Sequence, residues 1–141
     1  MAGGATGQGR WVIEPTPYHR IGGAAAVQAL AGRFYALLDR DPAYAALRAA
    51  HGPDLAPVAL SLGAFLTAWL GGPRDWFAAR PGLCIMRMHR MRGFPPELAG
   101  QWAAAMRAAI AADPGIDGAL GRQIGDALAR MAQAMAMAPE G

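Results

Sequence analysis

The chain has 141 residues, enough for one domain with a single buried core. Hydrophobic residues make up 54% of it, many of them Ala, Leu and Met, while β-branched residues are scarce, which argues for helices and against a sheet. The net charge is only +3 and every basic residue is an Arg, scattered along the chain rather than blocked, so nothing here demands a nucleic-acid partner.

The single Cys84 excludes an internal disulfide and a paired-cysteine zinc or iron–sulfur site. A C-x-x-C-H haem-attachment motif is also absent. No apolar run approaches the ~20 residues that span a bilayer. No charged leader followed by an apolar stretch is visible, so a cytoplasmic protein without a membrane partner is expected.

Residues 1–17 are rich in Gly and small residues and end in Pro15-Thr16-Pro17, which reads as a flexible tail. The domain is expected over 18–138. Tyr18 to Gly23 leads into a helix through about Leu38, with Val27, Leu30, Ala31, Phe34, Leu37 and Leu38 at three- and four-residue steps and Tyr35 beside that stripe. Asp41-Pro42 starts a short helical turn carrying Tyr44 and Leu47, and His51-Gly52-Pro53 breaks it. Asp54 reads as the N-cap of the next helix, with Pro57 in its first turn. That helix shows Leu55, Val58, Leu62, Phe65, Leu66 and Trp69 on one broad face, and Gly71-Gly72-Pro73 ends it.

An irregular stretch is expected from Arg74 to Gly82. The segment Ile85-Met86-Arg87-Met88-His89-Arg90-Met91-Arg92 alternates as a strand would, yet no partner strand is in reach. Read as a helix, it places Ile85, Met88, His89 and Arg92 on one face. Phe94-Pro95-Pro96-Glu97 then opens a long helix whose expected buried face is Leu98, Trp102, Ala105, Met106 and Ala109. Asp113-Pro114-Gly115 breaks it, and a last helix runs to about Met137 with Leu120, Ile124, Leu128, Met131 and Met135 on its stripe. The expected fold is all-α, with four main helices and short connectors.

His89 carries the chemistry. A neutral imidazole on an apolar helix is a natural axial ligand for haem iron, and equally an ordinary surface or core histidine. Tyr35 and Trp102 are side chains that line an apolar cavity while aiming one donor into it, and either also serves as plain core. Composition and spacing leave these readings open.

The ordered words Ile21-Gly22-Gly23, Arg33-Phe34-Tyr35, Trp69-Leu70-Gly71-Gly72-Pro73, His89 in its Arg/Met-rich setting, and Gln101-Trp102 resemble the truncated haemoglobins of the second group. The resemblance spans roughly Tyr18 to Ala112. It implies a truncated globin, a two-over-two helical sandwich around one non-covalent haem b (iron protoporphyrin IX). By the same resemblance His89 is the proximal iron ligand, Tyr35 and Trp102 line the distal side, and His51 stands at the corner before the distal helix. Phe34, Val58, Leu62, Phe65, Trp76, Ile85, Met88 and Phe94 would line the haem pocket.

The chain departs from relatives around the ligand. They usually carry Arg directly before this His and Pro-Phe after it, whereas here Met88 precedes and Arg90-Met91-Arg92-Gly93-Phe94 follow. Trp76 stands where a Tyr often helps hold a haem propionate, which leaves Arg87, Arg90 and Arg92 as propionate candidates by charge. The implied function is reversible binding of O2, CO and NO at ferrous iron, with slow oxygen release because Tyr35, Trp102 and His51 are possible donors to a partly negative ligand. The alternative is a haem enzyme of peroxidase or NO-dioxygenase type fed by an external reductase. A haem-free helical interaction module is the remaining reading. A monomer or a homodimer is expected.

Overall fold

The computed structural model describes residues 16–79 and 94–137; His89 and its neighbours Ile85, Arg87, Met88, Arg90 and Arg92 lie outside the described residues. Helix α1 (Pro17–Ile21) begins with Thr16 as N-cap, whose side chain accepts from the His19 N–H at 3.3 Å, and with Pro17 in the first turn, where its missing N–H is harmless. Gly22, at φ 119°, closes α1 in the left-handed conformation and releases the chain into α2 (Gly23–Arg40). The stripe read from the sequence is the buried one: Val27, Leu30, Ala31, Phe34, Tyr35 and Leu38 all face the core.

Asp41 accepts from the Ala43 N–H at 2.9 Å and starts a 3-10 turn (Pro42–Tyr44) that runs into the five-residue α3 (Ala45–Ala49). Next comes α4 (Ala56–Trp69). Asp54 does satisfy its first amide, accepting from Ala56 N at 3.0 Å, although the half-helical flanking residue is Leu55. The stretch after Arg74, expected to be irregular, contains one helical turn, α5 (Asp75–Ala78). Asp75 at its first position favours such a turn, because a carboxylate there meets unsatisfied amides.

Helix α6 (Pro96–Ala111) and helix α7 (Gly118–Met137) complete the domain, with Pro96 at the first position of α6 and the Asp117 carboxylate accepting from Leu120 N at 3.1 Å at the start of α7. Small residues broaden the buried face of α6 beyond the expected stripe: Ala99 and Ala103 are buried, whereas Leu98 and Trp102 are only half-buried. Along α7 the expected Leu120, Ile124, Leu128 and Met135 are buried, and Met131 is half-buried.

The helices pack as two pairs, α2 on α4 and α6 on α7, joined where α2 crosses α6. This is the two-over-two sandwich, and among the described residues it contains no strand. Its centre holds Val27, Leu30, Phe34, Leu66, Met106 and Leu128, all fully enclosed. Close approach of α7 to α6 needs Gly121, where an added Cβ would lie 3.0 Å from Ile110. Arg33 ties the two pairs together, its Nε donating to the Ala109 carbonyl at 3.0 Å and its guanidinium pairing with Asp113 at 3.3 Å. One consequence of this arrangement positions the site. Helices α4 and α6 both lean on α2 yet scarcely touch each other.

Candidate functional site

Four aromatic side chains form a continuous row over α2. The Tyr35 ring meets Phe34 edge-on with centroids 4.9 Å apart, Phe34 lies 5.7 Å from Trp102 of α6, and Tyr35 lies 5.5 Å from the His51 imidazole. Consecutive residues of a helix point about 100° apart, so Phe34 fills the core and Tyr35 reaches its edge. Phe34 is fully enclosed by protein and supports both Tyr35 and Trp102 from behind.

Tyr35 is 8% exposed, and its hydroxyl has no hydrogen-bond partner among the described residues. Burial raises its pKa from 10.0 to about 12, because the phenolate would lose its hydration. The phenol therefore keeps its proton and remains a donor. A buried hydroxyl without a partner is uncommon, since desolvating it without compensation costs about 1–3 kcal/mol.

His51 stands at the turn that follows α3, half-buried. Its Nδ1 lies 2.9 Å from the Leu47 carbonyl oxygen. A carbonyl can only accept, so Nδ1 carries the hydrogen, and in the neutral ring Nε2 is left as an acceptor. In its neutral form the one N–H of His51 is thus committed to the backbone. The turn itself is held by Arg48, which pairs with Asp39 at 2.6 Å and donates to the carbonyls of Gly52 at 3.0 Å and Pro53 at 3.3 Å. On its other side His51 borders an open groove of about 420 Å³ shared with Leu38, Arg48 and Pro53.

Along α4, Val58, Leu62 and Phe65 follow one another at helical spacing; Val58 and Leu62 are half-buried and Phe65 is buried. Trp102 and Leu98 on α6, and Phe94 before it, are half-buried as well. Trp76 belongs to α5, and its side chain lies outside the described set. The structure therefore brings Tyr35, Phe34, Trp102 and His51 together, and His89 lies outside the described residues. Among the described residues, no group of His, Cys, Asp and Glu side chains could hold a metal ion by itself, and no helix is long and apolar enough to cross a membrane.

Two positions escaped the sequence reading. Gln101 reaches from α6 to accept from the Leu47 N–H at 3.0 Å, and Arg48 laces the His51 turn. Nothing in periodicity marks either one, since both are polar residues on helices whose partners are set by packing.

The profile of the family described as "Bacterial-like globin" matches residues 16–137. A cold-adapted truncated hemoglobin from the Antarctic marine bacterium Pseudoalteromonas haloplanktis TAC125 superposes with a TM-score of 0.81 at 25% identity, covering 88% of this chain and 99% of that one. The group II 2-on-2 hemoglobin from the plant pathogen Agrobacterium tumefaciens gives 0.79 at 31% identity, over 91% and 96% of the two chains. A thermostable hemoglobin from the actinobacterium Thermobifida fusca gives 0.74 at 30% identity, over 89% and 99%. Among curated proteins no match was found.

Proposed function

Because this chain belongs to the bacterial-like globin family, and is a haem-binding globin of the group II two-over-two type, we propose that it binds O2 reversibly at ferrous haem b. CO and NO would compete for the same place. The observation that carries this reading is the buried Tyr35 hydroxyl, a proton donor held at the edge of an apolar cleft with no partner among the described residues.

The described residues fit the cofactor. Haem is a broad apolar disc that needs an apolar slot with few polar groups. Helices α4 and α6 rest on α2 without packing on each other, and their Val58, Leu62, Leu98 and Trp102 remain half-buried. Phe65 and Phe94 would extend that wall, and Phe34 supports it from within. His89 would be the proximal ligand. Ile85, Met88 and Trp76 would complete the pocket, and Arg87, Arg90 and Arg92 are the cations available to the propionates.

Ferrous haem supplies the reversible bond to a diatomic ligand. The chain's part is to make that ligand's stay long. Tyr35 O–H and Trp102 indole N–H would donate to its negative end, and neither can lose its proton at ordinary pH. Hydrogen bonds to charged groups contribute about 1.5–3 kcal/mol each, and ~1.4 kcal/mol is tenfold in affinity, so two donors slow release by roughly a hundredfold or more. We place the protein in the cytoplasm as a monomer or homodimer, with an external reductase to keep the iron ferrous and no nucleic-acid or membrane partner.

The test is an absorption spectrum of haem-loaded, reduced protein with and without CO. We expect a Soret band that shifts with CO. In His89→Gly the spectrum should change and be restored by added imidazole, which stands in for the lost side chain. A chain that takes up no haem sinks the proposal, and a His89→Gly spectrum identical to that of the unaltered protein would remove His89 from the proximal place.

One observation favours a second reading. The Nε2 of neutral His51, an acceptor on a ring packed against Tyr35, is also what a peroxidase-like site needs to take a proton from hydrogen peroxide. Peroxide turnover that disappears in His51→Leu would support it.

A further inference from the structure

Gln101 lies next to Trp102 on α6, and its side chain reaches α3. The Leu47 N–H belongs to the first turn of α3, whose amides have no acceptor within that helix. Leu47 is 2% exposed, so water is a poor substitute. The Gln101 Oε1 accepts this amide at 3.0 Å across a sequence separation of 54 residues. The carbonyl of the same residue, Leu47, receives His51 Nδ1 at 2.9 Å. The His51 ring in turn stands edge-on to Tyr35.

We propose that Gln101 is a positioning residue for the distal pocket: by holding Leu47 it keeps the proton of His51, whose ring packs on Tyr35, on Nδ1 and leaves Nε2 an acceptor. This rests on the haem-binding function proposed above. The physical chain is short. Without an acceptor at Gln101, the Leu47 amide becomes a buried donor with no partner, and α3 must shift or admit water to satisfy it. Either change loosens the Nδ1–H bond to the Leu47 carbonyl. Nε2 then takes the proton, and that nitrogen of the ring packed on Tyr35 turns from acceptor to donor. The polarity of the pocket would therefore be set from α6, the helix that also carries Trp102.

The variant to use is Gln101→Met, which removes the acceptor at nearly constant length, with Gln101→Glu as the variant that keeps it. Nitrogen-15 NMR of histidine-labelled, CO-bound ferrous protein reads the tautomer directly. We expect a protonated Nδ1 and a bare Nε2 at His51 in the unaltered protein and in Gln101→Glu, and protonation moving to Nε2 in Gln101→Met. Ligand dissociation gives the second readout. Gln101→Met should alter the O2 dissociation rate by roughly threefold or more, the low end of one changed hydrogen bond. The same substitution in a His51→Leu background should alter it no further. An unchanged tautomer in Gln101→Met, or an equal rate effect with and without His51, overturns the proposal. A chain that took up no haem would remove the proposed function instead, and the tautomer comparison on that haem-free chain would still decide this one.

Discussion

Tyr35 and His51 meet edge to face, ring centroids 5.5 Å apart and planes at 80°, although one belongs to α2 and the other to the turn after α3. The contact joins a phenol that holds its proton to an imidazole whose Nδ1 is already engaged by a backbone carbonyl. Tyr35 thus keeps a free donor, while the Nδ1 of its neighbour His51 is committed to the backbone.

Replacing Tyr35 by Phe should keep the fold, since only the hydroxyl is removed. The O2 dissociation rate of the haem-loaded protein should rise by roughly tenfold to a hundredfold, from the ~1.5–3 kcal/mol of a hydrogen bond to a partly charged ligand. Stopped-flow displacement of O2 by CO measures it. A rate unchanged in Tyr35→Phe would take Tyr35 out of the distal role.

Stability should fall at high pH because of the same residue. The folded pKa of Tyr35 is raised to about 12 from 10.0, so the folded state holds this proton more tightly than the unfolded one. The contribution is fully present below about pH 10 and is lost as the pH rises through about 12. Two units correspond to about 2.7 kcal/mol. Urea midpoints taken between pH 9 and about 12 should therefore fall more steeply for the unaltered protein than for Tyr35→Phe.

Arg33→Met should loosen the join between the helix pairs. Its Nε bond to the Ala109 carbonyl and its pair with Asp113 are part-buried, and with the Arg33 and Asp113 side chains 31% and 17% exposed the ion pair still touches solvent and contributes modestly. A loss of about 1 kcal/mol is expected, mainly from the carbonyl left without its donor. It should appear as a lower urea midpoint at an unchanged slope.

Gly72→Ala should release α1. An added Cβ would lie 2.7 Å from the Tyr18 ring, which packs on this corner while Tyr18 N donates to the Leu70 carbonyl at 3.0 Å. Overpacking of this kind costs about 1–3 kcal/mol. Hydrogen exchange at the Tyr18 amide should accelerate, whereas amides in the middle of α7 should change only with global stability. An unaffected Tyr18 amide would mean that the ring moves aside at little cost.

Much of this molecule is legible from sequence because helices advertise their buried face. Val27, Leu30, Phe34 and Leu38 recur at the spacing that one wall of a helix requires, and they are buried. Breaks at Asp41, Gly71 and Asp113 were equally visible, because glycine, proline and capping side chains act on the backbone within a few residues. The turn of helix at Asp75–Ala78 was missed for want of any stripe in so short a segment. Leu98 and Trp102 were expected to be buried and are half-buried, since Ala99 and Ala103 let α6 settle through its small-residue side.

The candidate site divides along the same line. His89, Tyr35 and Trp102 could be named from residue type, order and resemblance, and that is where the sequence ends. It determined by itself the four long helices, most of their breaks, the Tyr35 side chain at the edge of its stripe and the likeness to a family of globins. Only the tertiary structure decided that Gln101 holds Leu47 across 54 positions, that Arg33 clamps Ala109 across 76, and that the His51 Nδ1 meets the Leu47 carbonyl. Local propensity acts over three or four residues, whereas a hydrogen bond between distant helices exists only once packing has brought its two ends within about 3 Å.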